Sequence, residues 1–397
     1  MLRGVAAAAG VVSLLALDES AGLAGTLELV QALGDVGVGA PLWCVTRGAV
    51  GVGGADRVVG SVQAGVWGFG RVAALEYPER WGGLVDLPES VDGRVVDGLA
   101  AVLSGGAGED QVAVRSAGVF GRRLVRVGRA GVGEWSPRGT VLVTGGTGAL
   151  GGHVARWLAG RGVEHLVLVS RRGEQAPGAG VLRGELEGLG VGVTLAACDV
   201  TDREQVRGLL ASLEAAPIPA LTGVVHTAGV LDDGVIETLS PQRLAGVLGA
   251  KAEAAWHLHE LTRDLDLEVF VLFSSLAGTV GGAGQANYAA ANARLDGLAA
   301  LRRAQGLSAT SVAWGRWAGE GLAVGEARES WAHRGGVAPM EPADALKVLG
   351  SVLGRGEEQV VVADIDWDRF APRLATVRPA PLIAEIPEAR RALETAA

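Results

Sequence analysis

The chain has almost no lysine: of its 35 lysines and arginines, only Lys251 and Lys347 are lysine. Cysteine is equally scarce. Cys44 and Cys198 lack the number and spacing of a disulfide framework or a thiolate metal site, and a reducing compartment suits them. Tyrosine occurs twice, as Tyr77 and Tyr288, in a sequence only 4% aromatic. No apolar run approaches the ~18 residues that a membrane span requires. An excess of positive charge is missing too. The net charge is −9 and the arginines are scattered, which excludes a nucleic-acid-binding face.

What is present points to layered α/β structure. The 397 residues are 49% hydrophobic with 63 glycines, enough for two domains and unlike a disordered or coiled-coil chain. Apolar runs alternate with amphipathic stretches, the pattern of a doubly wound parallel sheet. In the second half this predicts strands at Thr140–Thr144, His165–Ser170, Gly192–Ala197, Gly223–His226, Val269–Ser274, Ala309–Trp314 and Gln359–Ala363. The longest helices fall at Leu244–Thr262 and Ala286–Arg303. A looser version in the first half gives strands near Val11–Leu17, Pro41–Thr46, Gly83–Leu87 and Gln111–Arg115. Leu99–Arg115 also echoes Leu349–Ala363: a helix end, a glycine-rich turn, acidic residues, then a strand opening on Gln-Val. The expected fold is therefore two Rossmann-like doubly wound halves, the first degenerate and structural, the second catalytic. The expected divisions are 1–135 and 136–372, with the Pro/Ala/Glu-rich 373–397 as a linker.

Thr140 to Gly151 reads as a strand, a glycine loop and a helix start, with Gly145, Gly148 and Gly151 in the spacing TGxxGxxG. Glycine lets the backbone approach a pyrophosphate, and the helix N-terminus offers free N–H groups to it. Thr144, Gly145, Thr147, Gly148, Ala149 and Leu150 are thus candidate cofactor contacts. The next strand ends in Ser170-Arg171-Arg172, where an acid would suit the ribose hydroxyl of NAD and arginine suits the 2′-phosphate of NADP. Asp199 and Val200, and then Thr227, Ala228 and Gly229, close the following strands on the same carboxyl edge. The equivalent turn of the first half, Leu17-Asp-Glu-Ser-Ala-Gly22, carries two acids that would repel a pyrophosphate, so that half is expected to bind no nucleotide.

Tyr288 opens a predicted helix in Gln285-Ala-Asn-Tyr-Ala-Ala-Ala-Asn292, which puts Asn292 on the same face one turn later. Ser275 ends a strand thirteen residues before Tyr288, and Lys251 stands on the helix before that strand. These elements can converge beside a nicotinamide. Trp314-Gly-Arg-Trp317 follows the next strand, and the aperiodic, glycine-rich 318–337 reads equally as a substrate lid or as a surface loop over buried tryptophans.

TGxxGxLG, SRR, CDV, HTAG, LDD, Lys251, Ser275 and YAAAN together resemble the short-chain dehydrogenase/reductase superfamily, and within it the ketoreductase domains of modular type I polyketide synthases. The resemblance covers nearly the whole chain. One departure from the wider superfamily is the lysine, which stands upstream while Asn292 takes its place four residues after the tyrosine; multienzyme ketoreductases share that exchange. Another concerns the start, since family members carry a further strand ahead of it. The resemblance implies NADPH as cofactor and a β-ketoacyl thioester on an acyl carrier protein as substrate, with other polyketide synthase domains as partners. It implies that Tyr288 protonates the carbonyl oxygen, that Ser275 hydrogen-bonds it, and that Lys251 lowers the phenol pKa. Asn292 would orient Lys251 or a water.

The resemblance also bears on stereochemistry and location. Leu231-Asp232-Asp233 matches the LDD motif of B-type members, Val280 and Gln285 replace the tryptophan and histidine of A-type ones, and Ala290 replaces the proline of epimerising B-type ones. These substrate-orienting positions imply B1 behaviour: a (3R) alcohol with an unepimerised (2R) methyl. Met1–Leu17 has the look of a weak signal peptide or of a helix end leading into a buried strand, and cytoplasmic use of reduced nicotinamide favours the strand. Two other readings remain: a free-standing alcohol dehydrogenase, which would not need the first half, and a silent scaffold domain.

Overall fold

The computed structural model describes residues 8–53, 56–105, 108–128, 135–319 and 335–396. Its first half forms a five-stranded sheet in the order β1-β2-β3-β4-β5. The strands are β1 (Val11–Ser13), β2 (Leu42–Arg47), β3 (Trp81–Leu87), β4 (Gln111–Arg115) and β5 (Gly118–Gly121). The first four pair in parallel, and β5 returns antiparallel on β4. Helices α1 (Gly22–Asp35), α2 (Ala64–Glu76) and α3 (Gly93–Leu103) connect the parallel strands. Strand β1 is shorter than its apolar run, because Leu15–Leu17 turns into a 3-10 helix ahead of α1.

The second half is a seven-stranded parallel sheet in the order β13-β11-β10-β9-β6-β7-β8. Its strands are β6 (Thr140–Thr144), β7 (His165–Ser170), β8 (Gly192–Ala197), β9 (Leu221–His226), β10 (Val269–Ser275), β11 (Thr310–Trp314) and β13 (Gln359–Val362). A separate two-stranded ribbon pairs β12 (Val337–Ala338) with β14 (Asp364–Ile365). The chain leaves β6 toward β7 and β8, then crosses back so that β9 pairs on the other side of β6. The resulting crevice at the carboxyl ends of β6 and β9 is where open α/β sheets bind ligands. Helices α4 (Ala149–Ala159) and α5 (Ala179–Gly188) cover one face, and α6 (Arg203–Ala215) packs on the other. On the other flank α7 (Pro241–Leu248), a π-helical turn at Gly249–Glu253 and α8 (Ala254–Thr262) form one interrupted helix, followed after β10 by α9 (Leu276–Val280) and α10 (Ala286–Ala304).

Apolar residues pack both faces of the large sheet, with Val143, Leu158 and Leu168 on one side and Leu142, Phe270 and Leu298 on the other. A third core spans the two halves: Leu27, Val66, Trp67 and Phe69 of the first pack with Ile236, Leu244, Ala286, Ala289 and Ala290 of the second. Helices α2 and α10 touch at backbone distance, since a Cβ on Gly68 would stand 2.2 Å from the Ala289 carbonyl oxygen. The two sheets thus share one body of core.

The C-terminal stretch is not a linker. Helices Trp367–Val377 and Pro387–Ala396 fold back, and Ala371, Leu382, Ile383, Ile386, Ala389 and Ala392 form their own buried cluster with Leu124 and Val280 against it. Its composition resembles a spacer because small alanines, not large apolar residues, do much of the packing. Among the described residues no helix is long and apolar enough to cross a membrane.

Candidate active site

The glycine loop sits at the mouth of the crevice. Gly145 has φ +65°, which favours glycine, and a Cβ on Gly151 would lie 2.2 Å from the Gly145 carbonyl oxygen. These residues close the turn tightly and bring α4 down onto it. Gly148 is the N-cap and offers no side chain, and the first turn of α4 holds no acid. Gly152 N–H bonds back to Gly148, which leaves the N–H groups of Ala149, Leu150 and Gly151 at an uncapped helix end. A pyrophosphate fits that end by charge and by donor set. A cleft of about 640 Å³ runs beside it, lined by Thr147, Gly148, Ala149, Gly152, His153 and Arg156 among others. None of the four catalytic candidates lines that cleft.

Arg171 and Arg172 are exposed beyond the end of β7, while the Ser170 hydroxyl is taken up by the Gly173 N–H. Asp199 is engaged locally, accepting from the Thr201 N–H and hydroxyl, and Val200 packs partly buried beside β8. Thr227 donates to the Thr144 carbonyl at 2.7 Å, which ties the ends of β6 and β9 together. The cofactor candidates therefore line one edge.

The catalytic candidates meet at the other end of the crevice. Tyr288 is partly buried in the first turn of α10, with the Lys251 ammonium 5.5 Å from its ring centroid. Burial raises the phenol above its ordinary pKa, and hydrogen bonding to Ser275 and then Asn292 pulls it back down. The Lys251 charge is not among these causes, so the expected lowering by lysine gives way to a rise by burial. The Ser275 oxygen accepts from Ala277 N–H at 3.2 Å, capping α9, and its hydroxyl meets the Tyr288 phenol. Asn292 donates to the Tyr288 carbonyl at 2.7 Å, not to Lys251, and its Oδ1 is buried without a protein partner.

Lys251 is held by features that sequence reading missed. It lies in the π-helical turn, a device common at functional sites, and donates to the Phe273 carbonyl at 2.9 Å. Gly229 leaves it room, since a Cβ there would be 3.3 Å from its Nζ. The His226 ring bridges Thr144 Oγ1 and the Lys251 carbonyl, at 2.8 Å on each side. Burial, and then the Lys251 charge, push His226 down to about 3, so the bridge is a neutral imidazole. Burial also pushes Lys251 down to about 8, against the opposing pull of Asp296. Asp296 is two turns beyond Tyr288 on the same helix, buried, and accepts from Ser311 at 2.7 Å. That i, i+4, i+8 spacing from Tyr288 was the signal available for it.

Two family models divide the chain as the sheets do. The family described as "Polyketide synthase extender module SpnB, Rossmann fold domain" matches residues 4–124, and the KR domain matches 139–319. A solved structure titled as an A1-type ketoreductase is 49% identical, with a TM-score of 0.92 over 97% of this chain and 83% of that one. This chain belongs to the ketoreductases of modular polyketide synthases. Family members are oxidoreductases that reduce β-ketoacyl chains with a nicotinamide cofactor. Among curated proteins, Polyketide synthase GfsA of Streptomyces halstedii is 56% identical over 403 residues, which span 98% of this chain and 5% of GfsA. A structure titled as a C2-type ketoreductase is 46% identical, with a TM-score of 0.91 over 98% of this chain and 86% of that one. Because two types match almost equally, global likeness does not decide the type of this ketoreductase.

The substrate-orienting candidates separate into two groups. Asp232 is clamped by the Arg243 guanidinium, which also reaches the Asp232 and Asp233 carbonyls and holds the Asp232 carboxyl below its usual range. Asp233 accepts from Gln285 at 3.2 Å, and Asn287 donates to the Asp232 carbonyl at 2.7 Å. The Leu231–Asp233 loop is therefore a braced wall beside Tyr288. Val280 packs against the C-terminal helices, so the segment expected to be a linker supports the opposite wall. Ala290 does not reach the site: it is fully buried in the seam against α2, where the core leaves no path to a substrate. Trp314 and Trp317 pack on Phe273 in the core, and 320–334, most of the expected lid, lies outside the described residues.

Proposed function

We propose that this ketoreductase uses NADPH to reduce the β-keto group of an acyl-carrier-protein-bound thioester to a (3R) alcohol within a longer polyketide synthase. The observation carrying this reading is the gathering of Ser275, Tyr288, Asn292 and Lys251 in the crevice that an uncapped glycine loop opens. When bound, NADPH supplies the hydride to the β-carbon. Ser275 and Tyr288 hydrogen-bond the carbonyl oxygen, and Tyr288 gives up its proton as negative charge develops there. A phenol raised by burial stays protonated near neutrality and is charged with its donor role. Ser275 and Asn292 then stabilise the phenolate that donation leaves, and the Lys251 ammonium, 5.5 Å from the ring, is the nearby proton source. The unpartnered Asn292 Oδ1 suits a water that returns the proton.

Arg171 and Arg172 supply the preference for NADPH, as exposed guanidiniums where a 2′-phosphate would stand. The (3R) outcome rests on Leu231, Asp232 and Asp233 on one wall and Val280, without tryptophan, on the other. Ala290 bears on epimerisation through the α2–α10 seam and not by contact. Incubation with racemic 2-methyl-3-ketoacyl thioester and NADPH, followed by separation of the four diastereomers, tests the reading. The (2R,3R) product is expected. A predominant (3S) alcohol overturns the entry direction, a (2S,3R) product overturns only the inference from Ala290, and no NADPH consumption leaves a scaffold.

A further inference from the structure

The two walls beside Tyr288 are joined by a carboxylate from the other half of the molecule. Glu76 ends α2, and its Oε2 accepts the Ile236 N–H while its Oε1 accepts the Gly284 N–H, each at 2.7 Å. Ile236 follows the Leu231–Asp233 loop, and Gly284 directly precedes Gln285 and the helix that carries Tyr288. The same two segments also meet each other. Gly234 N–H donates to the Gly284 carbonyl at 2.7 Å, and Gln285 reaches Asp233. Gly284 has φ +81°, a conformation that favours glycine, so that position brings no side chain of its own to hold this shape.

Chemistry makes a carboxylate the suitable clamp. It accepts only, through two oxygens, and so satisfies two converging N–H donors at once. An amide of the same size offers one acceptor and turns an N–H₂ toward the second donor. A second side chain, Gln31 of α1, donates to the Ile236 and Leu239 carbonyls at 2.8 Å and holds the Ile236 turn alone.

We propose that Glu76 is a positioning residue for stereochemical choice: it fixes the spacing of the Leu231–Ile236 loop from the Gly281–Gln285 turn, and so the direction in which a β-ketoacyl chain reaches Tyr288. This rests on the function proposed above. The half that has no catalytic residue then sets the handedness of the product through one side chain.

The test compares Glu76→Gln, Glu76→Asp and Gln31→Leu with the native protein, using racemic 2-methyl-3-ketoacyl thioester and NADPH. In Glu76→Gln the combined minor diastereomers should rise about fivefold, the scale of one net hydrogen bond. KM for the thioester should rise more than kcat falls, and NADPH affinity should stay unchanged. Glu76→Asp keeps both acceptors on a shorter arm and should give a smaller rise. Gln31→Leu should leave the ratio near the native value. An unchanged ratio in Glu76→Gln overturns the proposal, even if activity falls. An equal rise in Gln31→Leu also overturns it, in favour of general loosening of the Ile236 turn. If Glu76→Gln does not fold, an unchanged ratio in Glu76→Asp is decisive against. A native protein making mostly (3S) alcohol defeats the earlier reading and leaves this one standing, because only the change of ratio is read here.

Discussion

Two turns in this molecule have the same place in the fold and opposite fates. Thr144 to Ala149 leads from β6 into α4, and Leu17 to Gly22 leads from the first strand of the other sheet into α1. In the catalytic half the helix end is bare, with glycine as its cap. In the structural half Asp18 supplies the anion itself, accepting from Ser20 N–H at 3.0 Å, the Ser20 hydroxyl at 2.7 Å and Ala21 N–H at 3.3 Å. The carboxyl edge of the first sheet is also filled. Asp86 accepts from Thr46, from Ala49 N–H and from Arg115, and Arg115 reaches on to Asp56. A Rossmann-like sheet becomes a scaffold when its own side chains occupy the place of the ligand.

The largest effect expected from breaking that arrangement follows Arg115→Ala. Asp86 is wholly buried, and losing its guanidinium leaves a charge without its counter-ion. Loss of one partner of such a pair costs about 3–5 kcal/mol. Urea denaturation should show that loss, with NADPH affinity kept by the molecules that remain folded. A change below about 1 kcal/mol would mean that the ion pair is not what fills the edge.

Tyr288→Phe is the corresponding break in the catalytic half. The ring and its packing remain while the proton donor goes, so turnover should fall about 10²-fold or more. Fluorescence titration should find NADPH binding intact. Near-normal turnover would remove Tyr288 from the mechanism.

Lys251 makes stability and activity move in opposite directions with pH. Its folded pKa, about 8, is below the ordinary 10.5 because burial disfavours the charged form. Between those values the unfolded chain holds a proton that the folded chain has released. This group's contribution to stability therefore rises with pH across that window, and below about 8 the buried charge is a cost. Turnover should do the reverse, falling up to about tenfold per unit above pH 8 as the ammonium is lost. A pH–rate profile of the native protein and of Lys251→Met checks this; an alkaline limb that survives in the variant belongs to another group.

Where the chain writes its structure locally, sequence reading recovers it. Strands β4, β6, β7 and β8 have the bounds that their apolar runs and closing glycines or charges predict. The hairpin strand β5 was missed because Gly118–Gly121 is exposed throughout and carries no buried pattern. The π-helical turn at Lys251 leaves no mark in residue spacing. Within the site, the glycine loop and the Tyr288–Asn292 pair are legible because each is a short-range motif. Glu76 and His226 are not, since their roles exist only through partners brought together by the fold, 208 residues away in the case of Gly284. Ala290 shows the opposite failure: two residues from Tyr288 in sequence, it faces the other way along the helix and belongs to the seam.

The smallest expected effect sharpens the comparison at the cofactor itself. The turn ahead of α1 carries the Asp18 carboxylate where the catalytic half has its glycine loop, so equilibrium dialysis should find one NADPH per chain. Arg171 is exposed, and water screens whatever it holds, so its removal should cost less than a buried charge-assisted bond. Arg171→Ala should weaken NADPH about tenfold and leave NADH unchanged, because only the former carries a 2′-phosphate. Equal losses for both would make Arg171 structural and move the discrimination to Arg172. A second NADPH bound per chain would mean that the Asp18 turn and the Asp86–Arg115 pair do not close the first half to nucleotides.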